Sequence, residues 1–134
     1  MVEFKPTIMT VYGTRPEAIK VAPVIRQLES DSRFRSVSVS TGQHREMLEQ
    51  VNRMFGINPD HNLDIMRPGQ TLNGIVARAI SGLDEIIERE QPDVVISQGD
   101  TSTAMAAALA AFNKGVKVVH LEAGLRTGNI DSPF

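Results

Sequence analysis

Four times along this chain an apolar, strand-like run ends in small or charged residues that open a loop or a helix. Thr7 to Tyr12 gives way to Gly13-Thr14-Arg15-Pro16-Glu17, and Val37 to Thr41 to Gly42-Gln43-His44-Arg45. Val94 to Gln98 leads into Gly99-Asp100-Thr101, and Val116 to Leu121 into Glu122-Ala123-Gly124-Leu125-Arg126. Apolar residues at helical spacing fill the gaps: Ala18, Val21, Ala22, Ile25 and Leu28; then Met47, Leu48, Val51, Met54 and Phe55; then Leu72, Ile75, Val76, Ala79, Ile80, Leu83 and Ile86. Residues 101 to 114 are Ala-rich, with Leu109 and Phe112. Strands alternating with helices demand a parallel sheet joined by right-handed crossovers. The expected fold is therefore α/β, a Rossmann-like doubly wound sheet. The near-continuous apolar runs at 94–97 and 116–121 predict strands buried on both faces. Leu63 to Met66 reads as an extra short strand, and Met47 and Met54 read as core filling.

In an open parallel sheet, ligands bind in the crevice beyond the carboxyl ends of the strands. All four polar segments belong there, so the pattern predicts a site for a charged ligand. At Gly13-Thr14-Arg15 a strand meets a helix N-terminus, whose free N–H groups and dipole favour phosphate. Arg15 adds a fork of donors, and Lys20 lies about a turn further on. Thr14 and Glu17 have capping-box spacing, which accounts for Glu17 without a ligand. Neither a Walker loop nor a G-x-G-x-x-G fingerprint is present.

Asp100 and Glu122 each follow an apolar strand directly, and those strands are consecutive. Consecutive strands are usually neighbours, so the two carboxylates can share one crevice edge and divide acid and base roles. Asp100 also suits a helix N-cap. Glu122 caps no evident helix. Arg126 can orient Glu122, bind an anion or stand in solvent. Gln43 and His44 read equally as ligand contacts or as polar first-turn residues. His120, inside an apolar strand, reads as packed and hydrogen-bonded, and His61 as solvated. The three histidines lack metal-ligand spacing, so no metal is expected.

The 134 residues make one domain, with 41% apolar and 22% charged residues, as in a globular protein. A formal charge of −2 gives no reason to expect nucleic acid as a partner. No run approaches the ~20 apolar residues of a membrane span. The absence of cysteine rules out disulfides and fits a cytoplasmic location. The loop-like ending Asp131-Ser132-Pro133-Phe134 reads as a piece of a longer chain.

Four segments in order carry a resemblance: Gly13 to Lys20 (GTRPEAIK), Gln43 to Leu48 (QHREML), Gly99-Asp100-Thr101, and His120 to Gly128 (HLEAGLRTG). Over essentially the whole chain they resemble the bacterial non-hydrolysing UDP-N-acetylglucosamine 2-epimerases. The resemblance implies residues 1–134 as the first of two Rossmann-like domains in the arrangement called GT-B, with the active site between them. It implies reversible conversion of UDP-GlcNAc to UDP-ManNAc, without a cofactor, by elimination of UDP to a 2-acetamidoglucal and re-addition. Asp100 and Glu122 match the family's proton-transfer carboxylates. Gly13, Arg15, Lys20 and Arg126 match its substrate-binding segments. Gln43 and His44 match the segment that touches a second UDP-GlcNAc, an activator in some members, whereas Glu46 and Gly69 depart from the Gln and Arg carried nearby. A homodimer is implied for the intact enzyme, as is a role in cell-envelope polysaccharide synthesis. The family's second domain supplies a catalytic His and most uridine contacts, so this piece alone is expected to be inactive. Competing readings are a hydrolysing epimerase, a GT-B glycosyltransferase, and a flavodoxin-like nucleotide-binding module.

Overall fold

The computed structural model describes residues 4–42, 45–122 and 127–132. Five parallel strands, β1 (Thr7–Tyr12), β2 (Arg35–Ser40), β3 (His61–Asn62), β4 (Val94–Gln98) and β5 (Lys117–Leu121), lie in the order β3-β2-β1-β4-β5. Four helices connect them: α1 (Arg15–Ser30), α2 (Arg45–Phe55), α3 (Leu72–Glu90) and α4 (Ser102–Asn113). The chain winds outward from β1 to β3, then returns to the far side of β1 and winds outward again through β4 and β5. The reversal falls between β1 and β4, which pair from Ile8↔Val94 to Thr10↔Ile96. The fold is the Rossmann-like doubly wound sheet that the alternation predicts.

Period-two alternation gives the sheet two faces, and each has its own helical layer. Met9, Val11, Val37, Val39 and Val95 pack with Ala79, Leu83, Ala106 and Ala107 of α3 and α4. Tyr12 packs on the other side with Ala18, Val21, Ala22 and Ile25 of α1 and Leu48 and Val51 of α2. Thr71 caps α3 by accepting from Gly74 N–H at 3.0 Å, and Gln91 closes it in the left-handed region at φ 50°. Pro23 interrupts α1 on its exposed side, where water can reach the carbonyl that a proline leaves without an N–H.

Four expectations are corrected. The third strand is His61–Asn62, not Leu63 to Met66. Backbone pairing does continue, from Leu63 N–H to Ser40 O (2.9 Å) and from Ile65 N–H to Thr41 O (3.0 Å). Between them Asp64 turns left-handed (φ 49°), which breaks the strand. β5 is an outer strand with an open edge, and Val118 and Val119 are 37% and 42% exposed rather than buried on both faces. Met47 and Met54 are 48% and 74% exposed, because the buried line of α2 runs narrowly through Leu48 and Val51. His61 is half-buried rather than solvated, and its Nε2 lies 2.9 Å from Glu90 Oε1.

Candidate functional site

The chain reversal brings two strand-to-helix junctions side by side, and the site is built on them. After β1, Gly13 and Thr14 enter α1. After β4, Gly99, Asp100 and Thr101 enter α4. β5 runs beside β4, with Gln98 opposite Leu121, so the next residue, Glu122, emerges beside the β4 turn. Thr14, Lys20, Gln98, Asp100, Thr101 and Glu122 line one cavity of about 180 Å³, together with Pro16, Glu17 and Gly99. The two carboxylates singled out in the sequence thus share a single cavity.

Glu122 is held from two sides. Lys20 Nζ forms an ion pair with its Oε2, and Gln98 Nε2 donates to the same oxygen at 2.6 Å. The hydrogen bond from Lys20 does most to hold the Glu122 carboxyl below the usual carboxylate range, with a further contribution from Gln98. Glu122 also adopts φ 63°, a region that is costly for a side chain with a Cβ, by about 1–2 kcal/mol. Strain of this kind collects where surrounding structure fixes a residue for a task. Asp100 is exposed. The turn that carries it is fixed to β5 through Gly99: its N–H donates to Leu121 O at 3.1 Å, and its carbonyl lies 2.6 Å from His120 Nε2. His120 therefore has its expected hydrogen bond but is exposed, a correction that follows from the outer position of β5.

Gly13 is buried for a steric reason. A Cβ there would fall inside contact distance of the hydroxyls of Thr41 and Thr103, which are 3.0 Å apart beneath it. Its N–H is also engaged. Glu17 Oε2 accepts from Gly13 N–H at 2.9 Å, Thr14 N–H at 2.7 Å and the Thr14 hydroxyl at 2.8 Å. The expectation of free amides for phosphate at this junction is therefore corrected for Gly13 and Thr14, because the helix carries its own anion. Arg15 begins α1 in an exposed position and does not line the cavity, whereas Lys20, about a turn later, does. Gln43, His44 and Arg126 lie outside the described residues.

Two participants escaped the sequence reading. Gln98 is 4% exposed and reaches Glu122. A large polar residue closing an otherwise apolar strand was the available signal. Thr101, the N-cap of α4, donates its hydroxyl proton to Glu17 Oε1 across the chain reversal, and no local pattern encodes that contact.

The family model described as UDP-N-acetylglucosamine 2-epimerase matches residues 26–134. The UDP-N-acetylglucosamine 2-epimerase of Yersinia pestis is 52% identical over 127 residues, which are 95% of this chain and 34% of that protein. The Escherichia coli K12 enzyme of the same name is 50% identical over 127 residues, again 95% and 34%. The crystal structure of the Neisseria meningitidis UDP-GlcNAc 2-epimerase bound to UDP-GlcNAc superposes with a TM-score of 0.88 at 49% identity, covering 96% of this chain and 35% of that one. The chain thus spans about a third of the length of the relatives it matches. With three of the four motif-bearing segments contributing to one cavity and most of its length matched, the chain belongs to the UDP-N-acetylglucosamine 2-epimerase family.

Proposed function

We propose that the protein containing this domain interconverts UDP-GlcNAc and UDP-ManNAc without hydrolysing them, and that residues 1–134 form the first domain of a GT-B pair. The C2 proton of the sugar is not acidified by a carbonyl, so direct removal is very costly. Elimination avoids that: a base takes the C2 proton, a C1–C2 double bond forms, and the C1–O bond breaks with its electron pair leaving on UDP. Re-addition of UDP with protonation at the opposite face of C2 gives the epimer. The reaction needs carboxyl groups for the proton transfers and a cation for the departing diphosphate.

The observation that carries this reading is the convergence of Asp100, Glu122 and Lys20 in one cavity. Glu122 is a carboxylate paired with Lys20 and Gln98, and it gains basicity as Lys20 turns to the diphosphate, which suits it to accept a proton. Asp100 stands at the mouth of the same cavity to serve the complementary transfer. Lys20 has the charge and reach to meet a diphosphate. Arg15, Gly13 and Arg126 are assigned to substrate, and Gln43 and His44 to a second UDP-GlcNAc acting as activator. A homodimer is proposed for the intact protein.

The test uses the full-length protein with UDP-GlcNAc in heavy water, followed by proton NMR. The expected result is UDP-ManNAc with deuterium at C2 and no net release of UDP. Free sugar accumulating with UDP would identify a hydrolysing enzyme, and retention of the C2 proton in a protein that binds the nucleotide sugar would withdraw the acid/base roles. The 134-residue piece alone is expected to give no turnover.

A further inference from the structure

Among the described residues, Glu17 is the one buried carboxylate, at 2% exposure. A helix cap needs it to accept from Thr14 N–H, yet it also accepts from Gly13 N–H, the Thr14 hydroxyl and the Thr101 hydroxyl. The last contact is the informative one. Thr101 caps α4 by accepting from Ala104 N–H at 3.2 Å, which uses an oxygen lone pair and leaves its single proton to be placed. Glu17 Oε1 receives that proton from 84 residues away in sequence. One carboxylate therefore ties together the N-termini of α1 and α4, which descend on opposite faces of the sheet from adjacent strands. Asp100 is the residue immediately before Thr101.

We propose that Glu17 is a positioning residue: it holds the start of α4, and with it Asp100, against the Gly13–Thr14 junction, so that Asp100 keeps a fixed place relative to Glu122. The assignment rests on the reading of Asp100 as a proton-transfer group. A neutral amide does the same work less well, because the charge-assisted acceptor is lost. Gln at position 17 can keep its oxygen toward the three donors of the α1 junction, but then its NH2 faces Thr101, whose proton loses its acceptor. The cap of α1 survives while the link to α4 is reversed. Misplacing a reacting group by about 1 Å can cost on the order of a hundredfold in rate.

The test is made in the full-length protein with UDP-GlcNAc as substrate. Glu17→Gln and Thr101→Val should each lower kcat about tenfold or more with KM changed less than about threefold, since the substrate-binding cations are untouched. The double variant should be no worse than the poorer single one, because both act on the same link. Thr101→Ser, which keeps the hydroxyl, should hold kcat within about threefold. Retention of kcat by Glu17→Gln, even with a lowered Tm, would make Glu17 a structural cap and overturn the proposal, as would additive losses in the double variant. If the wild-type protein does not turn over UDP-GlcNAc, the reaction reading fails, and amide hydrogen exchange over residues 102–104 then decides the link. Faster exchange in Glu17→Gln and Thr101→Val but not in Thr101→Ser supports the tie, and unchanged exchange in all three removes it.

Discussion

A carboxylate that must accept a proton works best when it arrives ionised and comes free as the substrate settles. Glu122 meets the first condition beside Lys20, whose ammonium pairs with it and which is proposed above to meet the diphosphate. Removing that cation has a predictable sign. The Glu122 pKa lies below the usual range because of Lys20, so in Lys20→Met it rises, and the acid limb of the kcat/KM profile of the full-length protein moves to higher pH. An unmoved limb would confine Lys20 to binding substrate. At this scale the sequence was informative for charged residues in the segments that follow a strand. Asp100, Glu122 and Lys20 were legible because parallel topology alone sends them to one crevice. Gln98 and Thr101 were not, since their partners lie 24 and 84 residues away in sequence and are chosen by register and by the chain reversal.

Elements far from the cavity carry their own ties. At the end of α3, Glu90 binds Arg35 of β2 and His61 of β3, joining one helix to two strands. Its pKa is lowered, with His61 the larger cause and Arg35 the next polar partner. A lowered folded-state pKa contributes stability in full above the ordinary carboxylate range and loses it as pH falls through the folded value. Glu90→Gln is therefore expected to lower Tm by about 2–5 °C near pH 7, with the difference from wild type shrinking below about pH 4. Thermal unfolding followed by circular dichroism at several pH values checks this, and a pH-independent gap would rule out the ionic origin. Helix spans were the most legible elements, since Ala18 to Ile25 and Ile75 to Ile86 advertise a buried stripe. Burial was less so: an apolar strand such as β5 reads the same at the centre of a sheet and at its edge. His61 was misread because a polar turn in sequence proved to be a short strand facing Glu90.

Across the whole molecule, apolar surface is unevenly shared. Met105, Leu109 and Phe112 on α4 are exposed, Phe112 by 76%, and so are Val118 and Val119 on the outer strand β5, one toward each face of the sheet. An open strand edge bordered by apolar side chains invites association. The isolated 134-residue chain is expected to self-associate, and Leu109→Lys with Phe112→Lys to reduce it. Sedimentation equilibrium reads this directly, and a monomeric wild-type chain would show that the patch is harmless.

The reversal of the chain between β1 and β4 also sets a timetable. Ile8 must wait for Val94 before its second neighbour exists. At a synthesis rate of roughly 5–20 residues per second, that delay is on the order of ten seconds. Until then β1 has β2 on one side and nothing on the other, so the nascent chain carries an unpaired central strand rather than an unpaired outer one. Pairings so distant along the chain make folding slow. The crevice that holds Asp100, Glu122 and Lys20, which lies on this late seam, is among the last parts of the domain to come into being, and a chaperone that shields the free side of β1 during that interval would act on the yield of that crevice before it acted on anything else.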